Sequence, residues 1–249
     1  MILFIRQILF NIAFYGMTAV CCIILTPLTL LPRKQFVIFL TLYFKLVHIL
    51  EKYVLGLDFI VRGAENIPKD GAFLVASKHY SAYETMKMHV LFYDPAIIMK
   101  RELKFIPLWG LLASKAEMIF IDRGSRDVAL NSIIAGAKRI KEQGRPLMIF
   151  PQGTRVSIED TPENKPYKGG IIRMYEATNI PILPLALNSG LFWKKKAFFK
   201  YPGKVIFEFL PPIPPGLEAS EALDRIKNSI EDASNRLVKE ELEARKCHG

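Results

Sequence analysis

Residues 7–32 carry no charged side chain. An uncharged run of that length can cross a bilayer, which takes about 20 apolar residues. It closes on Pro27 and Pro32, and Arg33 and Lys34 follow. It is too long for the apolar core of a signal peptide, and no small-x-small cleavage site follows it. In the next stretch, 35–57, Phe36, Phe39, Leu40, Tyr43, Leu46, Val47, Leu50 and Val54 recur every three or four positions. That spacing predicts an amphipathic helix. Three arrangements fit. The first run spans the membrane and the second packs on the body, or the two form a hairpin dipping into one leaflet, or both are buried core helices.

After Asp58 the texture changes. Short apolar, β-branched runs predict strands at 59–62, 72–76, 96–99, 118–121, 147–150, 182–187 and 204–209. Between them, helical spacing covers 82–92, 105–115, 126–143, 169–178 and 218–246. Such alternation argues an α/β sandwich. In the last helix Leu223, Ile226, Ile230, Ala233 and Leu237 share one stripe, which predicts packing on the body. Residues 211–215, Pro-Pro-Ile-Pro-Pro, form a stiff linker before it. The expected organisation is a membrane-associated helical segment, 1–57, followed by one α/β domain, 58–249.

Composition sharpens the membrane reading. The 249 residues are 51% hydrophobic and carry a formal net charge of +10. A chain that is basic and apolar together fits an anionic membrane surface at least as well as nucleic acid, and no nucleic-acid recognition motif is present. Arg33, Lys34, Lys45 and Lys52 place the side after the first run in the cytoplasm by the positive-inside tendency. Phe192, Trp193, three lysines at 194–196, Phe198 and Phe199 offer a second interfacial contact or an ordinary solvated face. Cys21, Cys22 and Cys247 have neither metal-ligand spacing nor a disulfide framework.

Four segments carry candidate chemistry. There is no Gly-x-Ser-x-Gly elbow, phosphate loop or His-Glu-x-x-His motif. The first segment, Ser77-Lys78-His79-Tyr80-Ser81-Ala82-Tyr83-Glu84, follows an apolar strand. His79 and Glu84 meet only if His79 lies in the loop and Glu84 in the first helical turn. The pair then supplies a base and the carboxylate that orients it. Ser81 to Glu84 also reads as a capping box, with Glu84 a mere cap. In the second, Phe150-Pro151-Gln152-Gly153-Thr154-Arg155, Pro and Gly shape a tight turn. Arg155 there is either a phosphate clamp or a solvated turn residue. The third collects Lys100, Arg101 and Lys104, with Ile121-Asp122-Arg123 later, and suits an anion or a solvated face. The fourth, Ile180-Pro181-Ile182-Leu183-Pro184-Leu185, reads as a buried strand.

In order and spacing, from His79 to Leu187, these blocks resemble the bacterial 1-acyl-glycerol-3-phosphate acyltransferases of the glycerolipid acyltransferase superfamily. The resemblance implies an α/β acyltransferase fold, a catalytic site on the cytoplasmic side of the inner membrane, and an acyl-CoA or acyl-carrier-protein thioester as co-substrate. It implies neither a cofactor nor a metal. His79 matches the family's catalytic histidine, and Glu84 stands where an aspartate is usual. Lys100 and Arg155 match positions that bind the acceptor phosphate, with Arg101 beside them. Gly153 and Thr154 match the third block, and Gln152 replaces its usual glutamate. Gln152 keeps an acceptor and gains a donor but loses the charge. The implied partners are lysophosphatidic acid, the thioester donor and membrane lipids, with no nucleic acid. A different lysolipid acceptor, such as a lyso-ornithine lipid, and a non-catalytic membrane-binding relative remain as alternatives.

Overall fold

The computed structural model describes residues 1–247 except Arg123 and Ser125, and leaves the Arg126 side chain out. Two helices lead, α1 (Ile2–Leu28) and α2 (Arg33–Leu50). A π turn, Glu51–Leu55, extends α2 and ends on Gly56 at φ +72°. The body then runs β1 (Leu57–Arg62), β2 (Phe73–Ser77), α3 (Tyr83–Leu91), β3 (Ala96–Lys100), α4 (Trp109–Lys115), β4 (Ile119–Ile121), α5 (Arg126–Glu142), β5 (Pro146–Ile149), α6 (Gly170–Thr178), β6 (Ile182–Leu187), β7 (Gly203–Phe209) and α7 (Ala219–Cys247).

The seven strands form one sheet in the order β1-β7-β6-β2-β5-β3-β4. All neighbours are parallel except β6 and β7. Both faces are covered, as a largely parallel sheet requires. Alternation along β2 divides the core: Phe73 and Val75 face one cluster, Leu74 and Ala76 the other. The first cluster gathers residues of α1 to α4, the second those of α5 to α7. The result is the α/β sandwich that the strand and helix periodicities predict.

Two expectations change. The helix expected at 105–115 breaks into a 3-10 turn, Arg101–Phe105, and the short α4. Pro107 forces Ile106 into an extended conformation, φ −68° and ψ 122°, so no helix passes through. Gly110 then lies so close to the turn that a Cβ there would fall 1.8 Å from the Lys104 carbonyl oxygen.

The second change concerns the expected two-helix membrane segment. Among the described residues α1 alone is long and apolar enough to cross a bilayer, with 27 residues and a mean hydropathy of 2.2 over an 18-residue stretch. Ile5, Leu9, Ile12, Val20, Ile23 and Ile24 are exposed along it. By contrast, α2 buries Phe36, Val37, Leu40 and Val47 against the body. Arg33, at its start, grips both carboxylate oxygens of Asp94 at 2.7 Å. At its far end Glu51 forms a fully buried ion pair with Lys87 of α3. Burial pushes Glu51 up to about 7 although Lys87 opposes the rise, and it lowers Lys87. Phe10 and Leu25 of α1 also belong to the sheet's own core cluster, so the apolar core crosses residue 57 without a break.

Candidate active site

In the parallel part of the sheet β2, β3, β5 and β6 point their carboxyl ends the same way. Ligands of open α/β sheets bind in the crevice outside such ends. The first, second and third motif segments follow β2, β5 and β3 respectively, so the fold delivers all three to one edge.

The loop after β2 is pinned from several sides. Lys78 is buried, and its ammonium donates to Glu231 of α7 at 2.8 Å. The Tyr167 hydroxyl donates to the other oxygen of that carboxylate at 3.0 Å. The Val156 N–H donates to the His79 carbonyl at 2.7 Å. Tyr80 is buried against Gly190, where an added Cβ would lie 2.8 Å from its ring.

His79 stays in this loop and Glu84 sits in the first turn of α3, the condition under which the two can meet. His79 Nδ1 and Glu84 Oε1 are 2.8 Å apart. Glu84 is fully buried, while the His79 side chain keeps 17% exposure. The same carboxylate accepts the Ser81 N–H at 2.6 Å and the Ser81 hydroxyl at 3.2 Å. The Ser81 Oγ in turn accepts the Tyr83 N–H at 3.1 Å. Capping and pairing with histidine are therefore not rival arrangements here, because one carboxylate makes both contacts. An ionised carboxylate only accepts, so it holds the hydrogen on Nδ1 and leaves the Nε2 lone pair free. The His79 ring stacks on Phe150, with centroids 3.9 Å apart and planes at 17°.

Ser189 was not legible as a site residue. Its hydroxyl donates to Glu84 Oε2 at 3.0 Å. It follows the carboxyl end of β6, the neighbour of β2, within Asn188-Ser189-Gly190. A short polar run at such a strand end is the available signal. Lys168 was not legible either, and Phe150, part of the second segment, gave no sign in sequence of its stacking on His79. The Lys168 ammonium lies 3.1 Å from where a Gly153 Cβ would stand, and Gly153 adopts φ +67°.

The second segment forms its turn: the Gly153 N–H donates to the Phe150 carbonyl at 2.9 Å. Gln152 is buried, with its Nε2 3.3 Å from the Lys165 carbonyl and its Oε1 without a hydrogen-bond partner among the described residues. A buried acceptor left open in this way is costly unless a ligand group meets it. Thr154 and Arg155 are exposed. The Arg155 backbone carbonyl accepts from Lys195 at 2.8 Å. Lys100 is exposed at the end of β3. Arg101 instead forms an ion pair with Asp122 at 2.6 Å, both side chains being largely exposed. Arg123 lies outside the described residues.

Beside the catalytic loop opens a cavity of about 360 Å³, walled by Phe10 and Phe14 of α1, Ser81, Arg155, Trp193 and Lys200. Phe10 and Phe14 of α1 thus wall a cavity that reaches Ser81, the hydrogen-bond partner of Glu84. Among the described residues no cluster of three or more His, Cys, Asp or Glu side chains is arranged to hold a metal ion.

The model of a family described as "Acyltransferase" matches residues 58–188, more than half of the chain. A protein of Pseudomonas aeruginosa named 1-acyl-sn-glycerol-3-phosphate acyltransferase is 33% identical over 156 residues, covering 63% of this chain and 59% of its own length. The Mus musculus 1-acyl-sn-glycerol-3-phosphate acyltransferase alpha is 30% identical over 165 residues, covering 65% of this chain and 57% of its own. The chain thus spans less than two thirds of the length of these curated relatives. The crystal structure of the 1-acyl-sn-glycerophosphate acyltransferase PlsC from Thermotoga maritima superposes with a TM-score of 0.73. The overlap covers 96% of this chain and 97% of that one at 24% identity, so the likeness is one of fold. Family match, fold and the order of the motif segments agree that the chain belongs to the acyltransferase family.

Proposed function

We propose that the protein transfers a fatty acyl group from acyl-CoA or acyl-carrier protein to the sn-2 hydroxyl of 1-acyl-glycerol-3-phosphate, making phosphatidic acid. The observation that carries this reading is the His79–Glu84 pair, 2.8 Å apart under a fully buried carboxylate. It presents a free imidazole nitrogen at the carboxyl edge of the sheet. The names of the relatives supply the acceptor.

The proposed step is direct. His79 Nε2 takes the proton from the acceptor hydroxyl as its oxygen forms a bond to the thioester carbonyl carbon. Glu84 stabilises the imidazolium that results. Collapse of the tetrahedral intermediate breaks the carbon–sulfur bond, and the departing thiolate receives the proton from His79. Neither a serine nor a cysteine nucleophile is needed, and the step runs on the imidazole and the thioester without a cofactor. Arg155 holds the phosphate, which fixes the hydroxyl near His79, whereas Lys100, exposed at the end of β3, does not line the cavity beside Arg155. Gln152 Oε1, buried and open, suits a hydroxyl of the acceptor. The protein works at the cytoplasmic face of the inner membrane, with the exposed apolar face of α1 among the lipids.

The test is acyl transfer from a labelled thioester to a panel of lysolipids. Lysophosphatidic acid is expected to be the preferred acceptor. Arg155→Ala is expected to raise its KM, since a charge-assisted contact contributes ~1.5–3 kcal/mol. Arg155→Lys restores only part, because a point charge does not replace a planar fork. Equal loss with a phosphate-free acceptor would show that Arg155 does not hold a phosphate.

A further inference from the structure

Three lysines are buried: Lys78, Lys87 and Lys200. Lys78 meets the carboxylate of Glu231, and Lys87 that of Glu51. No carboxylate among the described residues pairs with Lys200, which is only 7% exposed. Its ammonium has neutral company: the Phe198 carbonyl at 3.2 Å and Asn11 Oδ1 at 3.5 Å. The ring faces of Trp193 and Phe10 lie at 4.8 and 5.5 Å. Burial holds its pKa below the usual lysine value. A desolvated charge is costly unless an opposite charge meets it.

This position is also held deliberately. Gln7 is a fully buried amide in the largely apolar α1. It uses both ends of its side chain on the Lys200 backbone. The Lys200 N–H donates to Gln7 Oε1 at 3.1 Å, and Gln7 Nε2 donates to the Lys200 carbonyl at 2.8 Å. A leucine at position 7 would leave the buried Lys200 N–H and carbonyl without these partners. The amide instead fixes where the Lys200 side chain starts.

The cavity that Lys200 lines also receives Arg155 and Ser81. Ser81 is hydrogen-bonded to Glu84, which holds His79. Arg155, Lys194, Lys196 and Lys200 therefore face one cavity, and of these Lys200 is the buried one.

We infer that Lys200 is a specificity-determining residue that binds the phosphate monoester of the lysolipid acceptor together with Arg155, and that Gln7 of the N-terminal helix positions it. This rests on the acceptor named above. A phosphate monoester carries close to two negative charges at neutral pH, which suits a cavity lined by Arg155 and several lysines. The acceptor's acyl chain then runs along Phe10, Phe14 and Tyr15 towards the exposed apolar face of α1. A water-soluble thioester donor has no comparable reason to enter beside a lipid-facing helix.

The experiment uses full-length protein in phospholipid–detergent micelles, wild type against Lys200→Met, Lys200→Arg and Gln7→Leu. Kinetics with lysophosphatidic acid, with a monoacylglycerol and with varied acyl-CoA give separate KM and kcat values. For Lys200→Met the ratio of kcat/KM for lysophosphatidic acid to that for monoacylglycerol is expected to fall at least about tenfold. The change should lie mainly in the KM for lysophosphatidic acid. Lys200→Arg should recover part of it, and Gln7→Leu should shift the same KM in the same direction. Equal losses with both acceptors would overturn the inference in favour of a structural lysine. A shift confined to the KM for acyl-CoA would overturn it in favour of a donor phosphate. A second readout is independent of turnover: quenching of Trp193 by sn-glycerol 3-phosphate in a Trp109→Phe background. Quenching lost in Lys200→Met supports the phosphate site even if lysophosphatidic acid proves a poor acceptor. Quenching equal in both proteins overturns it.

Discussion

Deleting residues 1–57 is expected to abolish folding of the catalytic body, not to release it as a soluble enzyme. The segment contributes Phe10, Leu25, Phe36, Val37, Leu40, Val47, Leu55 and Leu57, all buried. At about 1.5–3 kcal/mol for each large apolar side chain, their loss rivals the entire stability of a domain, about 5–15 kcal/mol. The deletion also removes Glu51 and leaves Lys87 buried without its carboxylate. Breaking a buried pair from one side costs about 3–5 kcal/mol. Gln7 goes as well, and with it the fixing of the Lys200 backbone. The check is circular dichroism and thermal unfolding of a chain starting at Asp58, in detergent. A monodisperse fragment with a cooperative transition would show that the helices are an appendage and not part of the core.

Glu84→Gln is expected to fold and to lose at least about tenfold in turnover, a low bound for acid–base contributions of ~10²–10⁴. The local geometry admits glutamine. Its amide oxygen can replace Oε1, accepting the Ser81 N–H and His79 Nδ1–H. Its amide nitrogen then faces the hydroxyls of Ser81 and Ser189, which can accept. The tautomer and the helix start survive such a swap, and the lost quantity is the negative charge that stabilises the imidazolium. Glu84→Asp keeps that charge on a side chain one methylene shorter, and it should retain more activity. Turnover of both variants, with matched unfolding curves, decides the matter. Wild-type turnover in Glu84→Gln would leave Glu84 a helix cap and remove it from the mechanism.

How much of this was legible depended on whether the signal was local. Each strand of the sheet was readable because parallel strands buried on both faces are apolar runs bounded by turn residues, as at Phe73–Ser77 and Ile182–Leu187. The His79–Glu84 pairing was readable because it spans only five residues across one loop-to-helix junction. Readings failed where tertiary contact outweighed local pattern. The apolar spacing of α2 is the same whether lipid or protein covers it, so it left packing on the body open as one of three arrangements, and only the folded chain shows Phe36 and Leu40 in the sheet's core cluster. The helical spacing over 105–115 runs through Pro107, and the break lies in the extended Ile106 before it, a backbone feature that apolar spacing does not report. Ser189 lies 105 positions from Glu84, and Lys200 lies 193 from Gln7. No periodicity announces contacts at such separations.

The central claim is that His79 is the general base for acyl transfer to a lysophosphatidic acid. It is tested most directly by following a labelled acyl-CoA or acyl-carrier protein with 1-acyl-glycerol-3-phosphate, using the purified wild type and His79→Ala. The account predicts labelled phosphatidic acid from the wild type. It predicts a rate lower by about 10²–10⁴ from His79→Ala, with an unchanged unfolding transition. Phosphatidic acid formed at the wild-type rate by a folded His79→Ala protein would contradict it.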